Sequence, residues 1–257
     1  MSTPLSPLDA GHSSHAIING VATLSFGHPR GNSLPGALLR HIAAQIDELG
    51  ANPEARVIVL RSEGTGPFCA GASFDQLRTI ESAADGKEFF SGFAHVILAM
   101  KRCPKFIIAR VHGKAVGGGV GLAAAADYAI AHPNASVRLS ELAIGIGPFV
   151  VGPVIERRIG RGPFAALAID FDWRDARWAR DVGLYSRLVD SSSELDYATD
   201  GLSHRLAAAN PSAMAEMKRM LWEGTDGWET LLYERAAMSG RLILSEHSRQ
   251  AIAAFAK

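Results

Sequence analysis

Cysteine, charge bias and long apolar runs are all scarce in this 257-residue chain. Its two cysteines, Cys69 and Cys103, are too few for a disulfide framework and indicate reduced thiols. The longest apolar run, residues 143–155, contains three glycines and two prolines and is shorter than the roughly 18 residues of a membrane-spanning helix. The first 14 residues lack the basic and apolar segments of a secretory signal. We therefore expect a cytoplasmic protein without a membrane partner.

The charge balance and several missing motifs argue against further classes of protein function. Lys plus Arg and Asp plus Glu each total 26, and no block of like charge occurs, so we expect no nucleic-acid partner. The chain has no Gly-x-Ser-x-Gly of serine hydrolases and no phosphate-binding Gly-Lys-Ser/Thr loop. None of its nine histidines pairs with Cys or Glu at metal-ligand spacing, so we expect no metal site.

Apolar periodicity indicates alternating strands and helices in the first half and helices in the second. Strands are predicted at residues 16–26, 56–61, 106–111 and 128–131, and helices at 38–49, 89–100, 163–169, 176–181, 195–209, 212–222 and 228–244. This order predicts an α/β core with right-handed crossovers, followed by a helical region. We assign residues 1–14 to a disordered tail, residues 15–195 to the core and residues 196–257 to the helical region.

Two segments rich in small residues each follow a predicted strand: residues 67–74 (PFCAGASF) and residues 113–121 (GKAVGGGVG). Small residues let a backbone N–H approach a ligand oxygen without a side chain in the way. If the alanine-rich stretch after Gly118 is helical, its first N–H groups lack partners and point at an anion or a developing oxyanion. Two such donors on one oxygen form an oxyanion hole. The alternative is that both segments are only tight turns.

Glu141 is the carboxylate that the pattern singles out. It lies in the sequence VRLSELA, at a predicted strand-to-helix junction where Ser140 is a candidate N-cap. A carboxylate buried among so many apolar residues has a raised pKa and can act as a general base. The alternative is an ordinary acidic first-turn residue that interacts favourably with the helix dipole.

The same glycines also match a different function. Gly119-x-Gly121-x-x-Ala124 fits the dinucleotide-binding pattern of nicotinamide-dependent oxidoreductases, with Glu141 about 20 residues further on. The context argues against this interpretation, because the match follows two strand–helix units and only a short helix fits before Asp127.

Five ordered segments resemble the enoyl-CoA hydratase/isomerase (crotonase) family over nearly the whole chain. They are residues 28–34 (HPRGNSL), 68–72 (FCAGA), 117–119 (GGG), 140–148 (SELAIGIGP) and 176–189, which ends in GLYSRLV. The resemblance implies a crotonase-like spiral of ββα units with a C-terminal helical region, assembled as a homotrimer or hexamer. It implies an acyl-CoA substrate and no separate cofactor, since coenzyme A is part of the substrate.

Carried over by position, the resemblance assigns catalytic roles to three residues and CoA contacts to three others. The N–H groups of Ala72 and Gly118 would bind the thioester oxygen, and Glu141 would be the acid/base. The residues assigned to CoA are Arg30, Ala70 and Phe255. Arg30 would meet a phosphate or the adenine, while Phe255 resembles a residue that covers CoA in a neighbouring subunit. Residues 196–257 would therefore serve trimerisation and CoA cover.

The chain departs from the family pattern at two positions that matter for hydration. Hydratases of the family carry a second glutamate where this chain has Gly121, and a water-holding glycine where it has Phe149. Losing one general acid/base usually costs about 10²–10⁴ in rate. These two departures therefore favour double-bond isomerisation with a single glutamate. A true hydratase with another second acid/base, or a degraded acyl-CoA-binding paralogue, remains an alternative.

Overall fold

The computed structural model describes residues 10–254 as an α/β core followed by helices. Its main sheet has six strands in the order β1-β2-β3-β4-β6-β8, and β5 and β7 form a separate small sheet. The strands are β1 (His12–Ile18), β2 (Val21–Gly27), β3 (Val57–Ser62), β4 (Ile107–Val111), β5 (Ala115–Val116), β6 (Tyr128–Ala131), β7 (Val137–Arg138) and β8 (Arg187–Leu188). Only the β1–β2 pair among these described strands is antiparallel; the other pairs are parallel.

Helices connect the strands and make up most of the second half. They are α1 (Gly36–Ala51), α2 (Phe74–Leu77), α3 (Ala83–Arg102), α4 (Gly118–Ala125), α5 (Gly152–Ile159), α6 (Arg161–Asp170), α7 (Ala176–Asp181), α8 (Ser192–Ala207), α9 (Pro211–Leu221), α10 (Trp228–Leu242) and α11 (Glu246–Ala254). The predicted α/β class is confirmed. The sequence pattern does not predict α5 and α11. Within residues 10–254, no helix is both long and apolar enough to cross a membrane.

The first strand differs from its prediction. Residues 16–26 do not form one strand, because Asn19 and Gly20, with φ of 51° and 82°, turn the chain into a β1–β2 hairpin. Asn-Gly is the strongest short-range hairpin signal, since both positions of this turn need positive φ. Strand β1 also begins at His12, so the last residues of the predicted tail, 1–14, belong to the sheet.

The main sheet is covered on both faces. Strands β3 and β4 are almost wholly buried. On one face Ile108 packs in a cluster with Leu195 of α8, and on the other Ile58 packs with Ile42 of α1 and Val96 of α3. Two covered faces explain why β3 and β4 are continuous apolar runs rather than alternating ones.

The C-terminal helices are fixed to the core by a glycine contact and a buried ion pair. A Cβ built on Gly86 of α3 would lie 2.6 Å from the Cα of Gly240 in α10, so these helices touch through their backbones. The buried Nζ of Lys218, in α9, lies 2.9 Å from Oδ2 of Asp127 and donates to the carbonyl oxygen of Lys105 at 2.7 Å. Removing one partner of a buried pair leaves an uncompensated charge, so this contact holds α9 in place.

Candidate active site

The two glycine-rich segments and the Glu141 segment run side by side. The N–H of Cys69 donates to the carbonyl oxygen of Lys114 at 3.2 Å, and the N–H of Val116 donates to that of Cys69 at 2.9 Å. On the far side of β5, the N–H of Gly117 donates to the carbonyl oxygen of Arg138 at 2.9 Å. Strand β7 ends at Arg138, so three distant stretches of chain meet at one place.

The early loop holds the first glycine-rich segment from the other side. The side chain of Asn32 accepts from the N–H of His28 at 2.8 Å and donates to the carbonyl oxygens of Glu63 at 3.0 Å and Pro67 at 2.9 Å. Asn32 has a φ of 56°, a conformation that asparagine tolerates better than most residues. These three bonds fix where the segment after β3 begins.

Two backbone N–H groups in the cleft have no partner within residues 10–254. The N–H of Leu34 donates to the carbonyl oxygen of Gly71, and the N–H of Ser73 donates to that of Leu34, so both neighbours of Ala72 are hydrogen-bonded. Gly118 is the first residue of α4. In the part of the chain that the structure describes, neither the Ala72 nor the Gly118 N–H donates a hydrogen bond. Both residues line one cleft together with Glu141. The geometry provides two unoccupied donors beside one carboxylate.

Glu141 begins a short 3₁₀ helix (Glu141–Ile144), with Ser140 at the N-cap position. The Ser140 hydroxyl makes no capping hydrogen bond. Glu141 is half-buried as a residue, but its Oε2 is fully enclosed and has no hydrogen-bond partner among the described residues. Burial raises the pKa of the Glu141 carboxyl to about 7, although backbone N–H groups of Glu141 and Ser140 oppose the shift. The side chain is therefore poised to exchange a proton near neutral pH.

Gly117 makes room for this carboxylate. Its φ of 51° lies in the region that favours glycine, and a Cβ built on it would lie 2.9 Å from Oε1 of Glu141. Any side chain at this position would strain the backbone and press on the carboxylate. The first glycine of the triplet is therefore needed beside the carboxylate that the sequence singles out.

Cys69 does not supply a nucleophile to the cleft. The residue is fully buried, and burial raises the pKa of its thiol to about 12. The thiolate, not the thiol, is the nucleophilic form of cysteine. Glu141 is thus the titratable side chain that the described part of the cleft offers.

A second cavity adjoins the cleft and contains Arg30. Ala70 and Phe74 line both spaces, and Arg30 and Arg78 line the second. The Arg30 side chain is exposed, and its Nε lies 3.0 Å from Oδ2 of Asp75. Of the positions predicted to contact CoA, Arg30 and Ala70 are thus close together. Phe255 lies outside the described residues.

A sequence model of the enoyl-CoA hydratase/isomerase family matches residues 16–257. This chain belongs to the enoyl-CoA hydratase/isomerase family. The match covers the early loop, both glycine-rich segments and Glu141, so it replaces the dinucleotide-binding interpretation of Gly119 and Gly121. Within the fold, Gly119 serves packing, since a Cβ built on it would lie 2.5 Å from the carbonyl oxygen of Cys69.

Relatives from this family cover most of the chain. It is 27% identical to "Probable enoyl-CoA hydratase" of Bacillus subtilis, over 93% of each protein. It is 31% identical to the mitochondrial methylglutaconyl-CoA hydratase of Rattus norvegicus, over 80% of this chain and 67% of the relative. The crystal structure of an enoyl-CoA hydratase from Mycobacterium avium is 26% identical, with a TM-score of 0.83 and 95% coverage of both chains. The enoyl-CoA hydratase from Bacillus halodurans, 20% identical with a TM-score of 0.87, supports the crotonase fold alone.

At both positions where this family member departs from the hydratase pattern, the residue is in contact with a neighbouring residue. A Cβ built on Gly121 would lie 2.5 Å from Cγ1 of Val151, so Val151 occupies the space that a side chain at 121 would enter. The N–H of Phe149 donates to the carbonyl oxygen of Gly147 at 2.7 Å, in a three-residue turn around Pro148.

Several residues of the cleft carry no local sequence signal. Phe93 lies on the apolar face of α3, where it cannot be told from a core residue, and Val151 precedes α5. Ser239 reaches the cleft from α10, far along the chain. Only the contacts between elements bring these side chains to the site.

Proposed function

We propose that this chain binds a 3-enoyl-CoA thioester and moves its double bond to the 2-position, with Glu141 as the single acid/base. The Glu141 carboxylate takes a proton from the α-carbon, and the electron pair moves towards the thioester oxygen to give an enolate. The protonated Glu141 then returns the proton to the γ-carbon. Proton and electrons balance within the substrate, so the step needs no separate cofactor.

The observation that carries this proposal is the pairing of one carboxylate, whose enclosed Oε2 has no partner among the described residues, with two N–H groups that donate no hydrogen bond there. The enolate oxygen bears more negative charge than the thioester carbonyl, so hydrogen bonds from Ala72 and Gly118 would favour the transition state over the bound substrate. Because these donors are held by the fold, no reorganisation is needed when the charge develops.

The same site offers little support for hydration. Adding water across the double bond calls for a second group that activates the water or protonates the α-carbon, and the described lining contains one carboxylate, Glu141. Val151 fills the space beside Gly121, and the Phe149 N–H is engaged by Gly147. A hydratase activity would therefore require another group in place of the second glutamate.

We also propose where the coenzyme A portion lies. Its phosphates would meet Arg30 and Arg78 in the second cavity, while the acyl group enters the apolar cleft past Ala70 and Phe74. A cover by Phe255 of a neighbouring subunit, within a trimer or hexamer, remains a prediction from the family resemblance. The reaction product tests the proposed function: Glu141-dependent double-bond migration without a hydration product supports it, and rapid hydration contradicts it.

The proposed base predicts a defined pH dependence. Burial raises the pKa of Glu141 to about 7, so the active carboxylate form is lost as the pH falls through 7. We expect kcat/KM for isomerisation to be level above pH 8 and to fall about tenfold per pH unit below pH 6. Steady-state rates between pH 5 and pH 9, with the protein's fold checked by circular dichroism at each pH, measure this. A flat profile, or a midpoint near 4.5, would show that Glu141 is not the group that titrates.

A further inference from the structure

One wall of the cleft consists of apolar side chains, and three of them pack directly against glycines. A Cβ built on Gly118 would lie 2.1 Å from Cζ of Phe93, so the ring lies directly against the backbone of the proposed oxyanion donor. A Cβ built on Gly147 would likewise lie 2.6 Å from the ring of Phe149. Val151 meets Gly121 in the same way, as described above. A thioester bound at Gly118 would therefore direct its acyl chain onto packed hydrocarbon.

Polar side chains are few in this cleft. Among the residues that line it in the described part of the chain, none is Lys, Arg or His, and the polar ones are Ser140, Glu141 and Ser239. The buried Ser239 hydroxyl makes a long 3.4 Å contact to the carbonyl oxygen of Arg235. The described lining thus has no cation that could accompany a buried anionic ligand group.

The cationic side chains lie on the other side of a shared boundary. Arg30 and Arg78 line the second cavity, whereas Phe93 and Val151 line the cleft. Ala70 and Phe74 belong to both. Along the path of an acyl-CoA, both guanidinium groups thus lie on one side, together with the Asp75 carboxylate that pairs with Arg30, and the hydrocarbon wall lies on the other.

We infer that the acyl group of the substrate is an uncharged hydrocarbon chain, and that the cleft rejects acyl groups ending in a carboxylate. This inference rests on the proposed function for the orientation of the thioester. A carboxylate in the cleft would lose its hydration without gaining a cation or a set of N–H donors, which strongly disfavours the ionised form. It would also lie in the same enclosed space as the Glu141 carboxylate, and like charges raise the cost further.

Two saturated thioesters of equal chain length test the inference without relying on turnover. Hexanoyl-CoA and adipoyl-CoA share the coenzyme A portion and six acyl carbons, and differ in the terminal carboxylate. By calorimetry at pH 8 we expect hexanoyl-CoA to bind at least about tenfold more tightly. Equal affinities, or tighter binding of adipoyl-CoA, would overturn the inference. Either result leaves the proposed isomerisation intact, because neither ligand contains a double bond.

A substituted cleft gives the matched control. Phe149 is half-buried, so Phe149→Lys places a cation at the wall while its stem covers part of the same surface. We expect the ratio of the adipoyl-CoA dissociation constant to the hexanoyl-CoA dissociation constant to be at least about fivefold smaller for this variant than for the unsubstituted protein. Ile18→Lys, at an exposed position in β1, adds the same charge away from the cleft and is expected to leave the preference unchanged. An unchanged preference in a folded Phe149→Lys protein would show that the cleft wall does not select the acyl group. If that variant does not fold, the comparison of the two thioesters on the unsubstituted protein decides.

Discussion

Replacing Glu141 with glutamine is expected to lower the rate of 3-enoyl-CoA isomerisation about 10²–10⁴-fold, the usual contribution of one general acid/base. The amide has nearly the same shape as the carboxyl but cannot accept the α-proton. Because the enclosed Oε2 of Glu141 has no partner in the described part of the chain, the ionised side chain is also costly to bury, and its removal should not lower the melting temperature. Loss of activity together with unchanged or higher Tm would mark a residue kept for chemistry.

The control for this substitution is Glu216→Gln, which makes the same chemical change at an exposed residue. Glu216 pairs with Arg219 within α9 and is far more accessible than Glu141, so its replacement should change the rate less than twofold. Initial rates with 3-hexenoyl-CoA and thermal melts of both variants provide the measurements. An active Glu141→Gln enzyme would remove this residue from the mechanism.

Removing the Ala72 N–H is expected to have the second largest effect. Ala72→Pro deletes one proposed oxyanion donor, and the loss of one such donor typically costs about 10²–10³ in kcat. Among the residues that the structure describes, this N–H donates no hydrogen bond, since the surrounding bonds run from Leu34 to Gly71 and from Ser73 to Leu34. Binding of hexanoyl-CoA should weaken less than kcat, because the enolate oxygen attracts the donor more strongly than the ground-state carbonyl does.

Ala72→Gly is the companion variant, since it keeps the N–H and removes only the methyl group. It should retain activity within about tenfold. Both proteins need circular dichroism and a thioester affinity to show that the segment remains folded. If Ala72→Pro binds hexanoyl-CoA and isomerises at the unsubstituted rate, the N–H of Ala72 does not stabilise the enolate.

The α/β class was predictable because the elements carry strong local patterns. The continuous apolar runs of β3 and β4 and the helical spacing of α1 reflect burial between layers, which periodicity records directly. The β1–β2 hairpin was also encoded, in Asn19-Gly20, but apolar residues on both sides concealed the turn. Signals of this kind lie within a few residues of the element that they specify.

The candidate site could be proposed from its ordered motifs, but the side chains that form its walls could not. Apolar neighbours of Glu141 predicted a raised pKa, and burial in the structure gives the same direction. The turn around Pro148, which directs the N–H of Phe149 to the carbonyl oxygen of Gly147, is seen only in the structure. The packing of Val151 against Gly121 depends on where α4 and α5 meet, and no local pattern specifies such a contact.

The most direct test of a single-base isomerase is the fate of 3-hexenoyl-CoA and crotonyl-CoA in D₂O, followed by mass spectrometry with Glu141→Gln as the control. We predict that 3-hexenoyl-CoA gives 2-hexenoyl-CoA in a Glu141-dependent reaction, and that 3-hydroxyacyl-CoA forms from either substrate at least about 100-fold more slowly. Rapid formation of 3-hydroxyacyl-CoA would contradict the account and show that another group replaces the second glutamate. Binding of both thioesters with neither product formed would equally contradict it and would indicate an acyl-CoA-binding protein without catalysis.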